Sequence, residues 1–325
     1  MELIINTFGT ALLRENEMFL VENKETSRRI PPDKVKSIVI SRGARISSDA
    51  ALLAIEHEID VMFVDNTGKP VGRLWSVKYG SISNIRRKQL DFIQKPVAVD
   101  WIKTLISEKL DNQIALLLSL REDRVDFKRR VESAIRHIEG FRKKVAAVKG
   151  EFIRDVAPGL RGWEGAASRY YFSIISSYLP ERYQFTGRTQ HPATDMFNCL
   201  LNYGYGILYG KTEGALIKAG IDPYVGIMHR DEYNRPVMVY DVIEKYRVWI
   251  DYVVISLCRQ EAIDAECFTV KPDGTYWLES SGKRILIQGV NDYLDEIIPL
   301  NRIDRTRLVH IELFCQSLAQ VFVNS

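Results

Sequence analysis

The sequence predicts an α+β protein of two domains: a small strand-rich domain over residues 1–78 and a larger, mostly helical domain over residues 79–325. The length of 325 residues suits two domains, and 46% hydrophobic residues are enough to form their cores. Short apolar runs separated by turn residues fill the chain up to about residue 77. From about residue 81, apolar and charged residues recur at helical spacing instead. This change of period places the linker within residues 76–84.

The strand-rich domain is predicted to contain short strands and one helix. The turn sequence Asp65-Asn66-Thr67-Gly68 joins the last two strands in a hairpin. The segment Ser47-Ser48-Asp49 supplies the cap of a helix that continues through residues 50–58. The predicted strands cover residues 3–5, 19–21, 35–40, 59–64 and 71–77.

The helical domain is predicted to contain long helices and one hairpin, which covers residues 268–278 and turns at Pro272-Asp273-Gly274. The stretch 203–212 (YGYGILYGKT) places glycines near a Lys-Thr pair, but their spacing does not match a phosphate-binding loop. We therefore interpret it as a helix that packs closely through small residues. The predicted helices cover residues 81–95, 98–122, 126–148, 151–178, 193–219, 237–262, 282–297 and 303–322.

Composition and sequence pattern argue against a zinc protein, a membrane protein and a secreted protein. The formal net charge of +3 neither requires nor excludes a nucleic-acid partner. The four cysteines lie far apart, which argues against a zinc site and favours small buried thiols. No apolar run reaches the roughly 18 residues of a transmembrane helix, and the start of the sequence lacks a secretory pattern. We therefore expect a cytoplasmic protein with no membrane attachment.

The first segment that points to chemistry is residues 162–168 (GWEGAAS), in which two glycines flank Glu164 within a predicted helix. A glycine inside a helix costs about 1 kcal/mol relative to alanine, so these positions require a reason. Two interpretations remain open. Either the glycines allow tight helix packing beside a solvated carboxylate, or they leave space for a DNA backbone or a metal ion to approach Glu164.

The second segment is a loop at residues 219–229 (AGIDPYVGIMH), which delivers His229 among apolar residues. Gly220, Pro223 and Gly226 interrupt any regular structure there. A lone histidine is usually structural. The position of His229 on a loop just before an acidic helix favours a functional role more than usual.

The third segment is residues 239–247 (VYDVIEKYR), where Asp241 and Glu244 lie three positions apart and share one face of a predicted helix. Apolar residues continue on both sides of this helix, which predicts that it is buried. Buried carboxylates need a partner, and a metal cation or a neighbouring Arg or Lys would serve. Two carboxylates with one imidazole suit Mg²⁺ or Mn²⁺. Such an ion orients a hydroxyl nucleophile and stabilises charge on a phosphodiester.

In their order and spacing, GWEGAAS, GIDPYVGIMH and YDVIE resemble the motifs of the CRISPR-associated integrase–endonucleases that capture new spacers, the Cas-one family. The resemblance implies that Glu164, His229 and Glu244 are the catalytic metal ligands, with Asp241 as a neighbouring acid. It also implies a β-rich N-terminal domain, a helical catalytic domain and a homodimer that assembles with a second small CRISPR adaptation protein. The implied reaction joins the 3′-hydroxyl ends of a short double-stranded DNA, the spacer precursor, to the CRISPR repeat.

Basic residues near these motifs and near aromatic side chains are candidate DNA contacts, although solvated helix faces explain many such clusters equally well. Arg169 and Tyr170 beside the first motif are candidates of this kind, and Arg230 directly follows His229. Arg188 and Asn198 are candidates because they lie in a stretch that resembles a segment of the family. Two other functions stay open at this point. One is a transposon-encoded integrase of the same chemistry, and the other is a DNA-binding scaffold without catalytic activity.

Overall fold

The protein is described from a computed structural model, which covers residues 1–65, 68, 70–74, 82–120, 122–190, 192–229 and 235–325. The predicted fold class is confirmed, because a strand-rich region precedes a mostly helical one. The chain divides into two compact units, Met1–Gly80 and Ser81–Ser325. None of the described helices is long and apolar enough to cross a membrane.

The described part of the first unit contains two four-stranded sheets, one α-helix and a short 3-10 helix at Pro32–Lys34. One sheet has the strand order β1-β5-β7-β8, in which the first three strands are parallel and β8 is antiparallel to β7. The other has the order β4-β3-β2-β6. The elements are β1 (Glu2–Ile5), β2 (Ala11–Glu15), β3 (Met18–Glu22), β4 (Ser27–Ile30), β5 (Ser37–Ser41), β6 (Arg45–Ile46), α1 (Ser48–Glu56), β7 (Asp60–Val64) and β8 (Pro70–Leu74).

The core of the first unit follows from the alternation of apolar residues along these strands. Leu12, Phe19 and Ile38 are fully buried, and Leu53 of α1 packs with them. The predicted cap of α1 is confirmed, because the Ser47 side chain accepts a hydrogen bond from the Ala50 amide at 3.1 Å. The predicted hairpin of β7 and β8 is also confirmed. Its turn residues 66 and 67, and positions 75–77 of the predicted last strand, lie outside the described residues.

The described part of the second unit is built from nine α-helices, two short 3-10 helices and two small hairpins. Helices α3, α4 and α5 pack together, and α6 packs against α8 and α10. Its elements are α2 (Ile82–Ile93), α3 (Pro96–Ser119), α4 (Val125–Ala147), α5 (Ile153–Tyr178), α6 (Met196–Lys218), α7 (Val237–Ile243), α8 (Arg247–Arg259), β9 (Phe268–Val270), β10 (Tyr276–Leu278), α9 (Ser280–Asp295), β11 (Ile297–Leu300), β12 (Ile303–Thr306) and α10 (Arg307–Asn324).

Two predictions about packing in this unit are confirmed. The stretch 203–212 lies inside α6, and a Cβ atom at Gly204 would come within 2.6 Å of the Ile250 side chain on α8. The missing side chain therefore allows these two helices to approach closely. The four cysteines are buried and unbridged, as the composition indicated.

The predicted helix over residues 237–262 is wrong in one respect, because it is interrupted between α7 and α8. The Tyr246 amide donates to the Ile243 carbonyl at 2.9 Å, three residues back instead of four. The Lys245 carbonyl accepts from the Asn112 side chain of α3 at 3.0 Å. Because this partner replaces the usual helical donor, the chain makes a tight turn directly after Glu244.

The predicted helix at residues 303–322 begins too early. Residues 303–306 form β12, which pairs antiparallel with β11. The two turn residues Asn301 and Arg302 both adopt positive φ angles, 53° and 65°, as a two-residue hairpin turn requires. Without a glycine at either turn position, the sequence gives only a weak signal for this hairpin.

Candidate active site

Glu164 lies near the middle of α5, and its side chain is 16% exposed. Its carboxylate forms an ion pair with the Lys109 ammonium of α3. A Cβ atom added at Gly162 or at Gly165 would meet no atom within 4 Å among the described parts of the chain. Tight helix packing therefore does not explain these glycines. They leave open space on either side of Glu164.

The loop that carries His229 is fixed to the helices at two places. The side chain of Gln89 on α2 donates to the carbonyl oxygens of Asp222 and Val225, both at 2.9 Å, and accepts from the Asp222 amide. Arg161, on the same helix as Glu164, donates to the Met228 carbonyl at 3.3 Å. The loop is therefore held as a rigid support for His229.

Asp241 organises the end of this loop. Its fully buried carboxylate accepts hydrogen bonds from the backbone amides of Ile227, Met228 and His229 at 2.6, 3.0 and 3.2 Å. It also accepts from Nδ1 of the His229 ring at 2.6 Å. Burial opposes the charged form of His229, but the hydrogen bond to Asp241 raises its pKa above the ordinary value.

These hydrogen bonds give Asp241 and Glu244 different roles. Both oxygens of Asp241 are occupied by the loop and by Nδ1, so Asp241 acts as the support of His229. With Nδ1 fixed as the donor, Nε2 is the ring nitrogen suited to a ligand, as in carboxylate–histidine–metal arrangements. Glu244 is then the acid that faces Glu164.

Glu244 is 5% exposed and has two cationic partners. Lys109 binds one carboxylate oxygen, and the Arg247 guanidinium lies 3.1 Å from the other. Burial opposes ionisation of Glu244, but the positive charges of Arg247 and Lys109 lower its pKa below the ordinary value. The sequence predicted that this buried carboxylate has either a metal cation or a neighbouring Lys or Arg as its partner. In the structure, Lys109 and Arg247 are in contact with it.

Lys109 is the residue of the site that the sequence motifs did not reveal. Burial opposes its charge, but attraction to Glu164 and Glu244 raises the pKa of Lys109 above the ordinary value. Its signal in the sequence was a lysine on the apolar face of α3, in helical register with Ile102 and Leu105. The ion pairs join residues 55 and 135 positions apart, which no local pattern displays.

The donor set fits a hard divalent cation in kind, since it offers two carboxylates and an imidazole oriented by Asp241. Among the residues described, no three His, Cys, Asp or Glu side chains are gathered closely enough to enclose a metal ion. The Lys109 ammonium instead lies between Glu164 and Glu244 and balances their charge. Glu164, Glu244 and His229 are therefore suitable ligand types for a divalent ion, and the two carboxylates are paired with the Lys109 ammonium in this structure.

A small cavity of about 30 Å³ adjoins Glu244 and Lys109. Asp251 also lines this cavity, and its carboxylate accepts hydrogen bonds from the hydroxyls of Tyr171 at 2.8 Å and Tyr205 at 2.5 Å. Burial raises the pKa of Asp251 to about 6, although both tyrosines stabilise the carboxylate. The residues that line the cavity include Lys109, Gln113, Glu244, Arg247 and Asp251.

The raised pKa of Asp251 predicts how stability changes with pH. Because the folded protein holds this proton up to about pH 6 and an unfolded chain releases it near pH 4, the contribution to stability is lost as pH rises through this window. We expect Asp251→Asn, which stays neutral, to gain on the order of 3 kcal/mol over the parent between about pH 4 and pH 6. Urea unfolding across this range measures the difference, and parallel profiles for the two proteins would contradict it.

The candidate DNA contacts separate into surface and interior residues. Arg169 is exposed, and Tyr170 is 37% exposed and stacks on His137 with ring centroids 4.2 Å apart. Arg188 is half-buried and binds Asn198 and Asn202 of α6. Arg230 lies outside the described residues.

The interior position of Asn198 removes it from the candidate DNA contacts. It has no exposed surface, and its amide nitrogen donates to the carbonyl of Gly187 and to the carboxylate of Asp195. Its oxygen accepts from Arg188 and from the Thr189 amide. Asn198 therefore fastens the segment before α6 to the start of that helix.

Comparisons with known proteins establish the family. The model of the family described as CRISPR associated protein Cas1 matches residues 3–292. A protein of Archaeoglobus fulgidus named CRISPR-associated endonuclease Cas1 1 is 32% identical over 307 residues, which is 91% of this chain and 88% of that one. The chain therefore belongs to the Cas1 family.

Two solved structures share the fold. A casposase bound to an integration product has a TM-score of 0.83 at 19% identity, over 99% of this chain and 90% of that chain. A chain of a structure titled Cas6-RT-Cas1--Cas2 complex has a TM-score of 0.81 at 23% identity, and the alignment covers the whole of the present chain. This chain spans 35% of that longer chain.

Proposed function

We propose that this protein is a metal-dependent DNA endonuclease and integrase that inserts short DNA duplexes into a CRISPR array. In this reaction the 3′-hydroxyl ends of the spacer precursor attack phosphodiesters of the repeat. The observation that carries the proposal is the pair of carboxylates, Glu164 and Glu244, that meet at one buried cation beside a histidine oriented by Asp241. The endonuclease name of the Archaeoglobus fulgidus relative supports it.

Glu164, His229 and Glu244 would hold the ion, Mg²⁺ or Mn²⁺. When bound, such an ion supplies Lewis-acid stabilisation of the charge that builds on a phosphodiester and orients the attacking hydroxyl. Asp241 keeps Nδ1 of His229 as the hydrogen-bond donor and so presents Nε2. The open space at Gly162 and Gly165 would admit the DNA backbone to Glu164.

Arg169 and Tyr170 would extend the DNA surface along the same helix. Both side chains are exposed one to two turns after Glu164. A guanidinium suits a backbone phosphate, and a tyrosine ring offers a stacking surface for a base. The partners proposed for the protein are therefore double-stranded DNA, a second copy of this chain through the strand-rich domain, and a second small CRISPR adaptation protein. The naming of Cas1 with Cas2 in a complex of the same fold supports the last of these.

The test is a plasmid integration assay with the purified protein. We expect a short duplex with free 3′-hydroxyl ends to become joined to a supercoiled plasmid that bears a repeat, in the presence of Mn²⁺ or Mg²⁺ and not of a chelator. Glu164→Gln removes one charge at nearly constant shape, and we expect joining to fall at least about a hundredfold, the usual loss for one electrostatic contact to a transition state. Salt-sensitive duplex binding without any metal-dependent product would favour a non-catalytic scaffold instead.

The casposase fold makes a transposon-encoded integrase of the same chemistry the second candidate. The two candidates differ in target preference. Joining that requires the repeat sequence supports spacer acquisition, whereas equal joining to a plasmid without the repeat supports the transposon activity.

The open space beside Glu164 gives a further prediction. We expect Gly165→Ala to raise the free energy of unfolding by about 0.5–1 kcal/mol, because alanine favours the helix and meets no neighbour. We also expect it to lower joining, because its methyl group enters the space proposed for DNA. Gly140→Ala on α4 is the matched control, since a Cβ atom there also meets nothing within 4 Å. Equal joining by the two variants would show that the space at Gly165 is not used.

A further inference from the structure

The charges around the candidate metal site are already balanced by side chains. Glu164 and Glu244 carry two negative charges, and Lys109 and Arg247 carry two positive ones in direct contact with them. Lys109 is 6% exposed, so water does little to screen its charge from an incoming cation. A divalent ion bound by both carboxylates would therefore meet the Lys109 ammonium at close range and be repelled by it.

The protein also contains a place that would receive the Lys109 ammonium. Gln113 lies four residues further along α3, on the same face of the helix, and is 4% exposed. Its amide oxygen is buried and has no hydrogen-bond partner among the described residues. Both side chains line the same cavity of about 30 Å³, which has room for a group the size of an ammonium.

We propose that Lys109 is the resident counter-ion of the metal site, which leaves Glu164 and Glu244 for Gln113 when a divalent cation binds. This inference rests on the proposed function, because it assumes that the two carboxylates take up a metal ion. It explains why a glutamine with an unpaired oxygen lies buried on the same cavity as Lys109 and Glu244. It also makes the metal affinity of the protein a competition between Lys109 and the incoming ion.

The test measures Mn²⁺ binding directly, by calorimetry or by the loss of the free-Mn²⁺ electron paramagnetic resonance signal, without DNA. We expect Lys109→Met to bind Mn²⁺ about tenfold more tightly than the parent, the usual size of a coupling between groups in contact. Lys103→Met is the matched control on the same helix, since the ion-pair partner of Lys103 is Asp100. We expect that variant to bind Mn²⁺ as the parent does.

A second variant tests the role of the Gln113 amide oxygen, and it keeps the inference testable if Lys109→Met does not fold. Gln113→Leu removes the acceptor while it fills the same space. We expect it to weaken Mn²⁺ binding severalfold in the parent and to have no effect in a Lys109→Met background, because contacting residues act non-additively. If Lys109→Met fails to fold, Gln113→Leu in the otherwise native chain still tests the inference, and unchanged affinity would overturn it.

The outcomes separate this inference from the proposed function. Equal or weaker Mn²⁺ binding by Lys109→Met, while the parent binds the ion, would overturn the role of Lys109 and leave the metal site in place. Absence of Mn²⁺ binding by every folded variant, including Lys109→Met, would overturn the metal site itself and the inference with it.

Discussion

Glu244→Ala is expected to destabilise the protein much more than Glu164→Ala, although both variants lose DNA joining. Removing Glu244 leaves the half-buried Arg247 without its ion-pair partner and takes one of two carboxylates from the buried Lys109. Breaking a fully buried pair from one side costs about 3–5 kcal/mol, so we expect a loss toward the lower end of that range. Glu164 is more exposed, and Lys109 keeps Glu244 as a partner after its removal. We therefore expect Glu164→Ala to cost only about 1–2 kcal/mol.

Urea unfolding of the two variants without metal measures this difference. Glu164→Gln and Glu244→Gln serve as controls, since each removes a charge while keeping most of the packing. Equal losses of stability at the two positions would show that Lys109 and Arg247 do not depend on Glu244. An inactive Glu244→Ala protein is informative about catalysis only after its fold has been checked, whereas an inactive Glu164→Gln protein is the cleaner evidence.

Asp241→Ala is the second substitution with a large expected effect. It leaves three backbone amides and the His229 ring without their shared acceptor in a fully buried position, so we expect a loss of about 3–5 kcal/mol. DNA joining should be lost as well, because nothing then fixes which nitrogen of His229 carries the proton. Asp241→Asn should lie between the parent and alanine, since its amide offers one acceptor and turns a donor toward the loop.

Asp222→Asn is the matched control for Asp241 on the same loop. Among the residues that the structure describes, the Asp222 side chain accepts a hydrogen bond only from the Tyr224 amide, at 2.9 Å, so we expect a change below about 1 kcal/mol. Urea unfolding gives the stability, and nitrogen-15 chemical shifts of the His229 ring give its tautomer. An Asp241→Ala protein with parental stability and an unchanged ring tautomer would contradict this account of the loop.

The sequence predicted most helices correctly, because their apolar residues recur every three to four positions and are buried on one face. It did not predict the turn after Glu244, where Lys245 and Tyr246 are compatible with a helix. That turn depends on a hydrogen bond from Asn112, a residue far away in the chain. The hairpin of β11 and β12 was missed for a local reason, since its turn places a non-glycine pair at positive φ.

The candidate site also depends on contacts between residues that are far apart in the sequence. Glu164, His229 and Glu244 were predicted because each lies in a recognisable segment of the sequence. The arrangement that relates them is made by Lys109 and Asp241, through contacts between distant elements. Asp241 was predicted as a neighbouring acid, but only the structure assigns its four hydrogen bonds. Spacing along the chain identifies side chains of the right type, whereas their charge balance depends on the tertiary fold.

The buried cysteines have a practical consequence for all of these variants. Burial raises the pKa of the Cys199 thiol to about 12 and those of Cys258 and Cys315 still further, so the nucleophilic thiolate is scarce in the native state. A thiol-specific reagent therefore reacts with these positions mainly when the helices around them open. Comparison of the labelling rates of the individual cysteines therefore distinguishes the two kinds of opening. Faster labelling of Cys199 alone indicates local opening, whereas equal rates at all three positions indicate global unfolding.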